Sequence, residues 1–235
     1  MKVKFHSLLC GARVAQGCVI IIDVFRAFTT AAIAFERGAS QIYLAETVSD
    51  ALDLRSRGLG SICVGERNGV RPDEFEFGNS PRQMQLATVR DQTLIQTTTN
   101  GTAGIFAARK AQQIFAASFV CADATISAIK RLMPEHVSVV AIGRRGIRAD
   151  EDELCALYLR SRLEGRDPDR EALRVLASTI VPKPAPELIA NGNYDTADRD
   201  LALSISSIPL AMKVESVDGL IALRPVPQQP NGGSV

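Results

Sequence analysis

Three clusters of polar residues each follow an apolar run in the first half of the chain. Asp23, Arg26 and the pair Thr29-Thr30 come directly after the β-branched run 19–22. A carboxylate, a guanidinium and two hydroxyls are groups that Mg²⁺ and phosphate bind in proteins. Because Asp and Thr are also ordinary helix caps, this segment alone favours neither interpretation.

The second and third clusters add an acid, a second arginine and an amide. Glu66 and Arg67 lie between glycines, and the Thr-rich run 97–99 leads into Asn100 and Gly101. A glycine beside hydroxyls and an amide can leave its backbone N–H open to phosphate. The run lacks the Gly-Lys-Ser/Thr ending of an ATP loop, so ATP is not indicated. The alternatives are a surface ion pair for Glu66 and Arg67 and an Asn-Gly turn for the Thr-rich run.

The elements that position these clusters alternate along the chain. Strand-like apolar runs are 19–22, 41–45, 61–64, 94–97, 113–116 and 137–142. Helix-like segments are 28–37, 48–57, 102–111, 122–132 and 149–163. This alternation predicts an α/β fold with a layered sheet, in which ligands bind where strands end and helices begin.

The later part of the chain has weaker patterns. Short helices are predicted at 169–179, 186–191 and 198–205, and a closing pair of strands at 212–214 and 220–223. The turn-forming and charged residues of segment 69–81 predict a long ordered loop with two exposed phenylalanines. We expect one α/β domain over residues 1–224, with a division into two subdomains left open, and a mobile tail over 225–235.

Composition narrows the function classes. With 27 Lys+Arg against 26 Asp+Glu, the net charge of +1 gives no general field to attract nucleic acid or a membrane. The five dispersed cysteines lack C-x-x-C spacing and are typical of buried, reduced thiols. No signal-peptide core or membrane-length apolar stretch is present. We expect a cytoplasmic protein that binds a small phosphorylated acid, and a homo-oligomer remains open.

Four segments, in order, resemble the 2-phosphosulfolactate phosphatase family: 22–30, 65–69, 77–81 and 98–102. The acidic segment 149–156 is similar to a later acidic segment of that family. The resemblance implies Mg²⁺-dependent hydrolysis of 2-phosphosulfolactate to sulfolactate and phosphate, a step of coenzyme M biosynthesis, in an α/β fold of the family's own type. The alternatives are a phosphatase or transferase for another small phosphorylated acid, and a catalytically idle anion-binding protein.

The resemblance implies roles for those residues of this chain that match the family's motifs. The implied catalytic residues are Asp23, Arg26, Glu66 and Asp152, of which Asp23, Glu66 and Asp152 are the implied metal ligands. The implied substrate-binding residues are Thr29, Thr30, Arg67, Asn79, Thr99, Asn100 and Gly101. The chain departs from the family pattern at Phe28, where a small residue is usual, at Cys121, where Asn is common, and in the arginine-rich run 144–148. A bulky Phe28 is expected to reshape the pocket.

Two mechanisms follow from these residues. In the first, Mg²⁺ held by carboxylates including Asp23 orients water for in-line attack, while Arg26, Arg67 and loop N–H groups offset the transition-state charge. In the second, Asp23 attacks and forms an aspartyl-phosphate. The segment lacks the second Asp, two residues on, that serves as acid and base in aspartate-nucleophile phosphatases, which favours water.

Overall fold

The computed structural model describes residues 1–180, 189–190 and 194–228. Its strands are β1 (Lys2–Ser7), β2 (Gly17–Ile22), β3 (Gln41–Leu44), β4 (Ile62–Gly65), β5 (Thr93–Thr97), β6 (Ala111–Ala117), β7 (His136–Ala141), β8 (Leu210–Val217) and β9 (Leu220–Pro227). Its helices are α1 (Leu8–Val14), α2 (Ala27–Glu36), α3 (Val48–Ser56), α4 (Pro81–Leu86), α5 (Gly101–Ala107), α6 (Ala122–Leu132), α7 (Asp150–Leu163), α8 (Arg170–Ile180) and α9 (Ala197–Ala202). The α/β prediction is confirmed.

All described strands join one sheet in the order β1-β7-β2-β6-β8-β9-β3-β5-β4. Strands β1, β7, β2 and β6 are mutually parallel, and so are β3, β5 and β4. Three antiparallel pairings, through the hairpin β8–β9, separate the two groups. The two parallel groups therefore run in opposite directions. Sheet twist of about 20–25° per strand pair rotates β5 by roughly 100° or more relative to β2.

Strand β2 and helix α2 form the centre of the core. Residues 19–22 are fully buried because β2 has a partner on each side within the parallel group. Helix α2 is buried from Ala27 to Phe35, and its many alanines let neighbouring elements approach closely. Phe28 belongs to this core and has no exposed surface. The start of α2, where the first polar cluster lies, is therefore held rigidly.

Several predictions for the weaker segments were wrong or incomplete. Phe75, expected to be exposed, is 2% exposed and packs with Leu54 and Ile95, because the 69–81 loop folds back onto the sheet. Strand β9 continues through Pro227, so the expected tail cannot begin at residue 225. Residues 229–235 lie outside the described residues, as does most of the predicted helix 186–191. The chain's first strand and helix and the short α4 were not predicted.

Two further findings bear on the sequence analysis. Within the described ranges, no helix is long and apolar enough to cross a membrane. All five cysteines are free thiols; four are buried, but Cys10 is exposed.

Candidate active site

Asp23 lies between β2 and α2, where loops from both parallel groups meet. Its Oδ1 accepts a hydrogen bond from the Ala27 N–H at 3.0 Å, and its carbonyl accepts one from the Phe28 N–H at 3.3 Å. Its other carboxylate oxygen, Oδ2, has no hydrogen-bond partner among the described residues. A Cβ added to Gly101 would come 2.9 Å from this Oδ2. Asp23 and the start of α5 are therefore in direct contact, although β2 and β5 belong to the two groups of strands that run in opposite directions.

Burial dominates the electrostatics of Asp23. Loss of solvent, together with the nearby carboxylates of Glu66 and Glu151, raises its pKa from 3.8 to about 7. The Ala27 N–H and the Arg144 guanidinium act in the opposite direction. Near neutral pH the carboxyl can therefore be protonated or ionised, as is common for functional groups.

Glu66 joins the β4 and β5 loops. Its Oε1 accepts the Thr99 N–H at 2.7 Å, and its Oε2 accepts the Thr99 hydroxyl at 2.9 Å and the Gly69 N–H at 2.6 Å. The Thr99 hydroxyl in turn accepts the Asn68 N–H at 2.9 Å. Three donors on one carboxylate fix the two loops against each other.

Asp152 makes the equivalent link between the β2 and β7 loops. Its Oδ1 accepts the Val24 N–H at 2.7 Å, and its Oδ2 accepts the Gly143 N–H at 2.9 Å. Burial and the neighbouring charge of Asp23 raise the pKa of Asp152, and these two N–H groups offset part of that effect. Both of its oxygens are thus engaged with the backbone.

The threonines at the site are also hydrogen-bonded within the protein. Thr98 and Thr102 exchange bonds between hydroxyls and backbone across the start of α5, and Arg67 donates to the Thr97 hydroxyl and to the Glu46 carbonyl. The Thr29 hydroxyl donates to the Val24 carbonyl at 2.7 Å, and the Thr30 hydroxyl is buried with no partner among the described residues. In this structure the hydroxyls hold loops and helices; substrate binding by Thr29, Thr30 and Thr99 stays a prediction.

Two amides keep unused hydrogen-bonding groups. Asn100 accepts the Arg145 N–H at 2.9 Å through Oδ1, which leaves its Nδ2 without a partner in the described chain. Asn79 is 8% exposed, and its Oδ1 is buried with no partner within the described ranges. These amides therefore retain the capacity to bind a substrate.

The structure places Arg26 against a residue that sequence analysis missed. Its guanidinium donates to Asp198 Oδ2 at 2.8 Å and lies over the rings of Phe25 and Tyr194. Asp198 is fully buried and also accepts the Ser80 hydroxyl at 2.7 Å through Oδ1. No motif marks Asp198 in the sequence, because its role depends on contacts between the C-terminal segment and the β2–α2 loop.

Comparison with known protein families gives a match over most of the chain. A sequence model described as 2-phosphosulpholactate phosphatase matches residues 7–190. The chain belongs to this family. Every polar cluster around Asp23, from the β2–α2 loop to the start of α7, lies inside the matched region.

Individual relatives in the family are similar over part of their length. A protein of Bacillus subtilis (strain 168) named "Probable 2-phosphosulfolactate phosphatase" is 36% identical over 148 residues, 62% of this chain and 64% of the relative. A Thermus thermophilus protein of the same name is 36% identical over 137 residues, 58% of this chain and 56% of the relative. One from Thermoplasma volcanium is 33% identical over 154 residues, 66% of this chain and 71% of the relative. The matched segment thus spans less than two thirds of the Bacillus and Thermus proteins.

The family-implied metal ligands are not arranged as one cluster. Among residues 1–180, 189–190 and 194–228, no group of three or more His, Cys, Asp or Glu could hold a metal ion. Glu66 and Asp152 use their oxygens on N–H and hydroxyl donors, whereas Asp23 Oδ2 has no such partner in the described chain. Of the three, Asp23 is the carboxylate best placed to accept a cation or a proton.

Proposed function

We propose that this protein hydrolyses the phosphate monoester of 2-phosphosulfolactate to sulfolactate and inorganic phosphate. The observation that carries the proposal is Asp23, buried at the meeting point of four loops with one oxygen held by a backbone N–H and the other unpaired among the described residues. Membership of the 2-phosphosulpholactate phosphatase family and the names of its relatives support the same reaction. The buried free thiols are compatible with the cytoplasmic location that we propose.

Mg²⁺ is the proposed cofactor, and the donor set suits it. Glu66 and Glu151 both raise the pKa of Asp23, and a divalent cation at Asp23 would offset the repulsion between these carboxylates. Mg²⁺ is usually held by one or two carboxylates together with water and substrate phosphate, so a three-carboxylate cage is not required. Asp23 Oδ2 would hold the ion. When bound, Mg²⁺ supplies charge neutralisation and polarisation of a phosphoryl oxygen.

The remaining residues position the substrate and these loops. Glu66 and Asp152 keep the loops that carry Asn100 and Val24 in fixed positions around Asp23. The free Nδ2 of Asn100 can donate to a phosphate oxygen, and pre-positioned donors of this kind stabilise transition-state charge without reorganisation. We propose water as the nucleophile.

Phe28 does not support the idle-protein alternative, because its side chain is fully buried in the core beneath Gly101.

The proposal is tested by phosphate release from 2-phosphosulfolactate, 2-phospholactate and phosphoglycolate, with Mg²⁺ and then with EDTA. We expect Mg²⁺-dependent release, and a loss of turnover on the order of 10²-fold or more in Asp23→Asn. Asp53→Asn is the matched control, because Asp53 pairs with Arg57 on the surface of α3 and is 62% exposed. Release of no phosphate from any compound by folded protein would contradict the proposal, and a trapped phosphoenzyme would replace water with Asp23 as nucleophile.

A further inference from the structure

The loop between β7 and α7 carries three arginines on a tight hairpin turn. The N–H groups of Arg144 and Ile147 each donate to the other's carbonyl, at 2.7 and 2.9 Å. The two central residues, Arg145 and Gly146, have φ angles of 50° and 78°. Positive φ at both central positions is characteristic of a type I′ turn, which connects two extended segments with little freedom. The arginine side chains therefore leave from a well-defined backbone.

Hydrogen bonds fix this turn to the loops around Asp23. The Arg145 N–H donates to Asn100 Oδ1 at 2.9 Å, and the Arg145 guanidinium donates to the Asn68 carbonyl at 2.5 Å. Gly143, just before the turn, donates its N–H to Asp152 at 2.9 Å. Arg145 therefore holds the turn against the loops around Asp23.

Arg144 and Arg148 keep donors for an external anion. The side chain of Arg144 is 49% exposed and meets Glu151 at 3.3 Å, while that of Arg148 is 68% exposed and lies 3.7 Å from Glu153. Arg144 reaches Glu151, whose side chain is only 4% exposed, through Nη2, so its other N–H donors can bind a ligand while that bond is kept. The long contact of Arg148 with Glu153 contributes little, so Arg148 can turn towards a ligand at little cost.

The same arginines line a cleft of about 380 Å³. Its lining also contains Asp150 and Glu151, so three arginines face two acids. The volume is within the range of small-molecule sites. Hydrogen bonds connect the cleft to the candidate active site: the Arg145 N–H donates to Asn100, and Asp152, which accepts the Gly143 N–H, also accepts the N–H of Val24, the residue after Asp23.

We propose that Arg144 and Arg148 form a subsite for a second anionic group of the substrate, a sulfonate or a carboxylate, distinct from the phosphate held near Asp23. This inference rests on the proposed function, because it names how that same site would select its substrate. A guanidinium fork matches the oxygens of either anion and binds them in a bidentate manner. The subsite favours phosphate esters of acids over phosphate esters of neutral alcohols.

The test measures binding without turnover. Isothermal titration calorimetry with sulfolactate, lactate and inorganic phosphate is carried out on the wild type, Arg144→Gln, Arg148→Gln and the double variant. The control is Arg57→Gln, because Arg57 is a surface arginine paired with Asp53 on α3, 54% exposed. We expect each cleft variant to weaken sulfolactate at least tenfold more than it weakens phosphate, and the control to match the wild type. Lactate lacks the sulfonate, so a loss confined to sulfolactate assigns the sulfonate to the arginines, whereas an equal loss for lactate assigns the carboxylate.

Several outcomes would overturn the inference. Equal sulfolactate affinity in the wild type and the double variant would do so, as would a wild type that binds phosphate but not sulfolactate. If Arg144→Gln fails to fold, Arg148→Gln carries the test, because Arg148 is exposed and has only one long contact among the described residues. Arginine-dependent sulfolactate binding in a protein that hydrolyses no phosphate ester would leave the subsite standing and refute the proposed reaction.

Discussion

Replacement of Gly101 by alanine tests whether the contact between α5 and the Asp23 loop maintains the site. A Cβ at position 101 would meet the Ala27 Cβ at 2.7 Å, Asp23 Oδ2 at 2.9 Å and Phe28 Cζ at 3.3 Å. Because the Ala27 Cβ is attached directly to the α2 backbone, it cannot rotate away. Normal carbon–carbon contacts of about 3.5–4.0 Å then require α2 and α5 to separate by roughly 1 Å.

The expected cost follows from this overlap. Overpacking of a core typically costs about 1–3 kcal/mol, and replacing glycine in a helix returns roughly 0.5–1 kcal/mol. The net destabilisation is therefore about 0–2.5 kcal/mol, which lowers the Tm by at most roughly 10 °C for a chain of this size. Displacing catalytic groups by 1 Å can cost on the order of 10²-fold in rate. We therefore expect a large loss of turnover together with only a small fall in Tm.

Thermal unfolding and phosphate release measure the two effects. The control is Gly78→Ala, because a Cβ there would find its nearest atoms at 3.4 to 3.8 Å, which is ordinary contact. If Gly101→Ala is as stable and as active as Gly78→Ala, the neighbours have adjusted freely and the close approach does not position Asp23.

Two further predictions concern the buried charges. Because burial is the largest cause that raises the Asp23 pKa from 3.8 to about 7, the folded protein binds this proton more tightly than the unfolded chain, so the contribution of Asp23 to stability should be lost as pH rises from about 4 to 7 in EDTA. Urea unfolding at several pH values measures the difference in free energy of unfolding between the wild type and Asp23→Asn. This difference should change by a few kcal/mol over the pH range, roughly 1.4 kcal/mol per pKa unit. A difference that is constant across pH would refute the shift. Asp198→Ala should cost about 3–5 kcal/mol because it removes a fully buried carboxylate that accepts hydrogen bonds from Arg26, from the Ser80 hydroxyl and from the Arg82 N–H. Asp200→Ala, with an 86% exposed side chain on the same helix, is the control, and equal urea midpoints for the two variants would contradict the expectation.

The local parts of the fold could be predicted because short-range patterns encode them. The isoleucine-rich run before Asp23 indicates a buried strand, and the Ala-rich segment after it indicates a helix, since both patterns lie within about ten residues. Helix α4 was missed, although its start has a recognised pattern: Ser80 accepts the Gln83 N–H, and Pro81 occupies the first turn. The prediction that Phe75 is exposed was wrong, because charged neighbours in the sequence do not reveal how a loop folds back onto the sheet.

The sequence by itself determined which chemical groups follow each strand: an acid after β2, an acid and an arginine after β4, and the Thr-Asn-Gly run after β5. Only the tertiary structure decided what those groups contact. The opposite directions of the two parallel groups depend on the β8–β9 hairpin, which has a weak local pattern. The partners Arg26 and Asp198 are separated by 172 residues, and Asp152 meets Val24 across 128. Such contacts arise from strand order and packing over the whole chain, so the spacing of residues in one sequence does not reveal them.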